Sequence, residues 1–140
     1  MKIIVVQLNT TVSRMIIRSF RKEVYMGTNY YVVRNRPSVE EPIHIGKSSC
    51  GWMFLFQEID SPWYEPPIVW HTYEQVINWL QRYTVDTDEY VILDEYDDIV
   101  SLDELVELIE DKQENCADNP DNFSYCKNVN GYRFEEREFC

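Results

Sequence analysis

Six residues whose types suit a small-ligand site lie close together in the middle of the chain: His44, Gly46, Lys47, Ser48, Ser49 and Trp52. A turn over residues 46–49 would aim backbone N–H groups and the Lys47 ammonium at a carboxylate or a phosphate. A nucleotide-binding P-loop is excluded, because it needs glycine where the chain has Glu41 and a helix where the pattern predicts a strand. The alternative to an anion-binding turn is an ordinary hairpin turn without a ligand.

His44 also invites a catalytic interpretation. By the two-residue period of a strand it shares a face with Gly46 and Ser48, so it could activate Ser48 or Cys50 as a nucleophile. Spacing names no third residue that would orient the imidazole. The alternative is a strand histidine whose ring is satisfied by a neighbouring carbonyl. We therefore name no catalytic residue and expect a protein without enzymatic activity.

Negative charge is concentrated in residues 86–114, which carry thirteen Asp and Glu residues and only Lys112 as a base. The resulting net charge of −12 equals that of the whole chain. Such a surface repels phosphates, so nucleic-acid binding is not expected, but it could attract a basic partner. The candidate contact residues are Asp94, Glu95, Asp97 and Asp98. The alternative is a solvated turn, and these acids lack the alternation and the glycine of a calcium loop.

Periodicity predicts the elements that position these residues. Strands are expected at Asn29–Arg34, Pro42–Gly46, Gly51–Ile59 and Tyr90–Tyr96. Residues 48–51 are expected to form the hairpin turn between the second and third of these strands. Residues 115–128 are polar and predict a loosely held loop, and Asn130-Gly131 predicts a tight turn before an edge strand.

Two capping boxes predict helices, Thr72 with Gln75 and Ser101 with Glu104. Residues 1–25 add a strand over Ile3–Leu8 and a basic amphipathic helix after it. Strands mixed irregularly with a few helices indicate a single α+β domain, with a small, mainly antiparallel sheet and two or three packed helices.

No apolar run approaches the roughly 20 residues of a membrane span, and the first residues lack the pattern of a secretory signal. A membrane is therefore not an expected partner, and the cytoplasm is the expected compartment. The four cysteines, at positions 50, 116, 126 and 140, are expected to be reduced, and their spacing matches no standard zinc motif. The sequence calls for no metal and no cofactor.

Two blocks of the chain carry a resemblance to known proteins, residues 26–31 (MGTNYY) and residues 44–52 (HIGKSS-x-GW). With these blocks the chain resembles a family of small uncharacterised bacteriophage proteins, T4-like and related. The likeness covers residues 26–140 and extends to residues 92–102 and to the ending GYRF with EF. Residues 1–25 precede the usual start of the family, as a folded extension or as a segment upstream of the true start at Met26.

The resemblance implies a phage accessory protein made in the infected cell, and it brings no activity with it. Relatives often carry cysteine and histidine residues that suggest a zinc site, but here Met53 and Gln57 stand where two of those ligands would be, which leaves His44 alone. The expected function is binding of a basic host protein through the acidic segment. The alternatives are a small anionic-ligand binder or enzyme that uses the HIGKSS turn, and a minor virion component.

Overall fold

The computed structural model describes residues 27–49, 51–115 and 126–139. The predicted strand at Ile3–Leu8 and the basic helix after it lie outside the described residues, as do Cys50, Cys116 and Cys140. None of the described helices is long and apolar enough to cross a membrane.

The described residues form nine strands and two helices. Seven strands make one sheet in the order β7-β6-β1-β2-β3-β9-β8, which is antiparallel except where β3 pairs with β9, and β4 and β5 form a separate hairpin. The elements in chain order are β1 Gly27–Arg34, β2 Ile43–Ser49, β3 Leu55–Gln57, β4 Ile59–Ser61, β5 Ile68–Trp70, α1 Tyr73–Leu80, β6 Tyr90–Asp94, β7 Ile99–Val100, α2 Leu102–Asn115, β8 Lys127–Val129 and β9 Tyr132–Glu135. The prediction of an α+β domain with a mainly antiparallel sheet is confirmed.

Both helices lie on one face of the large sheet, which we call the core face. α1 buries Val76, Trp79 and Leu80, and α2 buries Leu102, Leu105 and Ile109, against Val32, Ile45, Phe56 and Phe134 of the sheet. Burial of these apolar side chains is what holds the helices in place, because helices of this length are marginal in isolation. The opposite face of the sheet, which we call the open face, carries Tyr31, His44, Gln57 and Arg133.

Both helix starts are as predicted. The Thr72 hydroxyl accepts from the Gln75 N–H at 3.1 Å, and the Gln75 side chain accepts from the Thr72 N–H at 3.2 Å, which completes the capping box. At α2 the Ser101 hydroxyl accepts from the Glu104 N–H at 3.1 Å. A π-helical turn over Gln81–Asp86 extends α1 before the chain enters β6.

The C-terminal hairpin confirms one prediction and corrects two. Asn130 and Gly131 have φ values of 53° and 90°, the left-handed pair that a two-residue hairpin turn requires. Residues 127 and 128, predicted as loop, belong to β8, and residues 116–125 of the same predicted loop lie outside the described residues. The last strand, β9, is not an edge strand, because it lies between β8 and β3 and pairs with β3 in parallel.

Candidate functional site

The predicted turn over residues 46–49 is wrong, because these residues belong to β2. Their backbone groups pair with β1 over Gly46–Ser49 and with β3 at Gly46 and Lys47, so they do not form a concave set of N–H groups for an anion. The chain turns after β2, where Gly51 has φ of 78° and the Trp52 N–H donates to the Ser49 carbonyl at 3.2 Å.

Gly46 serves close packing. A Cβ atom at this position would lie 2.3 Å from the Leu55 carbonyl oxygen and 2.4 Å from the Phe54 ring. Glycine therefore permits β2 and β3 to approach each other over the core, a strand role that glycine can fill as readily as a turn role. Gly46 was rightly singled out in the sequence, but it is required for the packing of two strands and not for a turn.

A β-bulge divides the predicted site between the two faces of the sheet. The pairing of β1 with β2 shifts between Tyr30 and Tyr31, so that Ile45 is the extra residue on β2. Gly46 consequently pairs with Tyr30 on the core face, and His44 pairs with Tyr31 on the open face. Strict alternation had placed His44 beside Gly46 and Ser48, and this prediction is wrong.

Ser48 is 4% exposed and pairs with Thr28 on the core face. The interpretation of His44 as a base for a Ser48 nucleophile is therefore wrong, and Cys50 lies outside the described residues. Lys47 pairs with Asn29 on the open face.

His44 is half-buried on the open face and held by a side chain. Its Nε2 lies 2.9 Å from Asn29 Oδ1, and its ring packs between Tyr31 and Phe139, with centroid distances of 5.0 Å and 4.7 Å. Burial lowers the pKa of His44 below its ordinary value, and the proximity of the Gln57 side chain and of the Gly46 backbone opposes this only in part. The imidazole is therefore neutral at pH 7.

His44 lines a groove of about 700 Å³ at the end of the sheet where β2 begins and β3 leads into β4. We call it the His44 groove. Its apolar wall contains Tyr31, Ile43 and Phe139, and its carboxylates are Glu58, Asp60, Glu136 and Glu138. The described residues that line it include no Lys or Arg. An anionic ligand would meet four carboxylates here, so the groove disfavours the anionic ligand that the sequence suggested.

Trp52 and Ser49 line a smaller cavity of about 190 Å³ together with Cys126 and Arg133. The Arg133 guanidinium lies 5.0 Å from the centre of the Trp52 ring, a cation–π contact. Of the six residues of the predicted ligand site, His44 thus lies in the His44 groove, two lie on the core face, two line this second cavity, and Lys47 lies elsewhere on the open face. They form no common site.

The predicted acidic contact at Asp94–Asp98 is mostly a structural turn between β6 and β7. Asp94 is 4% exposed, and its Oδ1 accepts from the Tyr96 N–H at 2.8 Å and from the Asp98 N–H at 3.1 Å. Glu95 accepts from the Asn29 N–H at 2.9 Å. Asp97 adopts a left-handed conformation with φ of 63°. The prediction of Asp94 as a surface contact is therefore wrong, because its carboxylate is buried and accepts hydrogen bonds from backbone N–H groups of the same turn.

The exposed acids of α2 were included in the charge of residues 86–114, but none of them was predicted as a contact residue. A shallow groove of about 510 Å³ runs along the outside of this helix, and Leu108 is its apolar member. Its acidic members are Glu104, Glu107, Glu110, Asp111 and Glu114. Positions 107, 111 and 114 follow the spacing that places side chains on one helical stripe, a signal present in the sequence that would have found them. We call these five acids and Leu108 the acidic α2 face.

Two further contacts define the acidic α2 face. Glu110 Oε1 accepts from the hydroxyls of Tyr73 and Tyr132, at 3.1 Å and 3.3 Å, so this carboxylate is fixed at the edge of the helix. Lys112, the only base in residues 86–114, turns away from the acids and donates to the Ser49 carbonyl at 3.0 Å. The negative charge of the face is thus left without a cation from the same segment.

These features define an α+β protein with an acidic helix on one side of its sheet and an acidic groove with aromatic walls on the other. Comparisons of this chain with protein-family models, with curated proteins and with solved structures give no match.

Proposed function

We propose that this chain is a phage accessory protein that acts without catalysis by binding a basic protein of the host cytoplasm through the acidic α2 face. The observation that carries the proposal is the orientation of α2. Its carboxylates face solvent while Lys112 donates to the sheet. The phage setting rests on the resemblance of residues 26–31 and 44–52 alone.

The charge pattern suits a protein partner that is basic on one side. Like charges at this spacing repel one another and destabilise the isolated helix slightly, so their arrangement on one stripe adds nothing to the fold. A face of this kind steers an oppositely charged partner during diffusion and discriminates against acidic proteins. Leu108 is partly buried in the middle of the stripe and offers an apolar contact inside a polar rim.

The proposal is tested by affinity capture from a bacterial host lysate with three forms of the full chain. The first is the native chain, and the second carries Glu107→Lys, Asp111→Lys and Glu114→Lys. The third is the matched control with Glu41→Lys, Glu65→Lys and Asp88→Lys, three exposed acids that lie outside the acidic α2 face. The two variants change the net charge by the same amount.

We expect the native chain and the control to retain the same basic protein and the α2 variant to lose it. Equal retention by all three forms would contradict the proposal. Equal loss from both variants would also contradict it, because the binding would then follow total charge and not the face.

A further inference from the structure

The His44 groove lies on the open face, away from α2, and has features that the acidic α2 face lacks. Three rings stand in a row along it, with centroids 5.0 Å apart between Tyr31 and His44 and 4.7 Å apart between His44 and Phe139. Aromatic faces attract cations and accept methylene groups by van der Waals contact. A volume of about 700 Å³ is in the range of small-molecule sites.

A buried amide holds one wall of this groove in place. Gln57 is 5% exposed, and its Nε2 donates to the carbonyls of Glu135 and Arg137, each at 3.1 Å. Because the amide is planar, Oε1 points away from these carbonyls. Oε1 has almost no exposed surface, and its neighbour is the His44 ring, whose pKa is lowered by burial and raised in part by the Gln57 side chain. The amide therefore fixes the wall of the groove beside His44.

The carboxylates of the groove are only partly neutralised. Lys127 forms ion pairs with Glu58 and Glu136 at one end. Asp60 has His71 Nε2 at 3.8 Å, and Glu138 forms no ion pair with any residue in the described part of the chain. Asp60 and Glu138 therefore leave net negative charge beside the aromatic row.

We propose that the His44 groove binds an alkylammonium ligand, in the form of a free linear polyamine or of a lysine side chain on a peptide. The ammonium group donates to the carboxylates of Asp60 and Glu138, and the methylene chain lies along Tyr31, His44 and Phe139. Neutral His44 adds no positive charge that would repel the ligand. The site is separate from the acidic α2 face, so it can be present whether or not that face binds a protein.

The test is isothermal titration of the full chain with spermidine up to about 1 mM, near neutral pH. We expect saturable binding that weakens about tenfold or more in the variant with Asp60→Asn and Glu138→Gln, because both neutralised acids contact the ammonium. Phe139→Leu keeps an apolar side chain without an aromatic face and is expected to weaken binding about threefold.

The matched control neutralises Glu107→Gln and Glu114→Gln on α2, and this variant is expected to bind spermidine like the native chain. A second arm titrates the peptide acetyl-Gly-Lys-Gly-amide, and binding of either cation in the His44 groove supports the proposal. Three results would overturn it: no saturable binding of either cation, equal weakening by the α2 control, or tighter binding of adenosine monophosphate than of spermidine.

Discussion

The two most acidic regions of the chain use their carboxylates in opposite ways. In the turn between β6 and β7, Asp94 is buried and accepts two backbone N–H groups, and Glu95 accepts a third from β1. On the acidic α2 face, Glu107 and Glu114 have no such role and point to solvent. The carboxylates of the first region accept hydrogen bonds from the protein's own backbone. The carboxylates of the second region remain at the surface, where a partner can reach them.

The difference shows that the position of an acid relative to backbone donors decides whether its charge is available to a partner. A turn exposes N–H groups that are not paired in a ladder, and short acidic side chains satisfy them locally. The interior of a helix pairs every N–H with its own carbonyls, so the carboxylates have no backbone donor to accept from. Charge counted along a sequence therefore overstates the charge that a partner meets.

Asp94→Ala should have the largest effect on stability. It removes the acceptor of two N–H groups at a buried position, which costs about 2–3 kcal/mol in the free energy of unfolding. Urea unfolding measures this loss, and Asp94→Asn, which keeps an oxygen at the same place, is the control with a smaller loss. If Asp94→Ala is as stable as the native chain, the turn does not depend on this carboxylate.

Asp97→Val should have the next largest effect. Its left-handed φ of 63° is tolerated by aspartate but strained for a β-branched residue, so we expect a loss of about 1–2 kcal/mol. Asp97→Gly is the matched control, and it should not destabilise the protein because glycine adopts this conformation freely. Equal unfolding midpoints for the two variants would mean that the conformation at Asp97 is not strained.

Lys112→Met should lower the free energy of unfolding by less than the two turn variants, and it tests whether Lys112 serves the contact of α2 with the sheet. The substitution keeps the aliphatic stem but removes the donor to the Ser49 carbonyl, at a cost of about 1 kcal/mol. Thermal unfolding measures it, with Lys47→Met as a comparison on the open face. A more stable Lys112→Met variant would argue that the lysine serves the acidic α2 face and not its contact with the sheet.

Reversing the charge of Glu107, Asp111 and Glu114 to lysine should change stability least, within about 0.5 kcal/mol. Lysines in the last turns of a helix even interact favourably with its dipole. Chemical unfolding of this variant beside Asp94→Ala compares the two acidic regions directly. A loss as large as that of Asp94→Ala would show that the acids of α2 also hold the fold.

The helices and much of the sheet could be predicted from the sequence because their signals are local. The capping boxes at Thr72 and Ser101 and the turn at Asn130-Gly131 depend on residues within four positions. The interior position of β9 could not be predicted, because its parallel partner β3 lies about eighty residues earlier and no local pattern specifies such a pairing.

The candidate site was predicted least well, and one residue explains most of the error. The bulge at Ile45 moves His44 to the open face, and nothing in the sequence around Ile45 marks it. The serine and glycine content of residues 46–49 is typical of turns, whereas Gly46 is required by close approach of β3. The acidic stripe of α2 was readable in the spacing of its residues, since helical faces follow from sequence alone.

Zero-length carbodiimide cross-linking is the most direct test of the central claim that a basic partner contacts the acidic α2 face. This reagent joins a carboxylate to a lysine amine only where the two are in contact, and peptide mass spectrometry of the cross-linked capture complex locates the bond. We predict cross-links at Glu107, Asp111 and Glu114. Cross-links confined to Glu95, Asp97 and Asp98, or to Asp60 and Glu138 of the His44 groove, would contradict it.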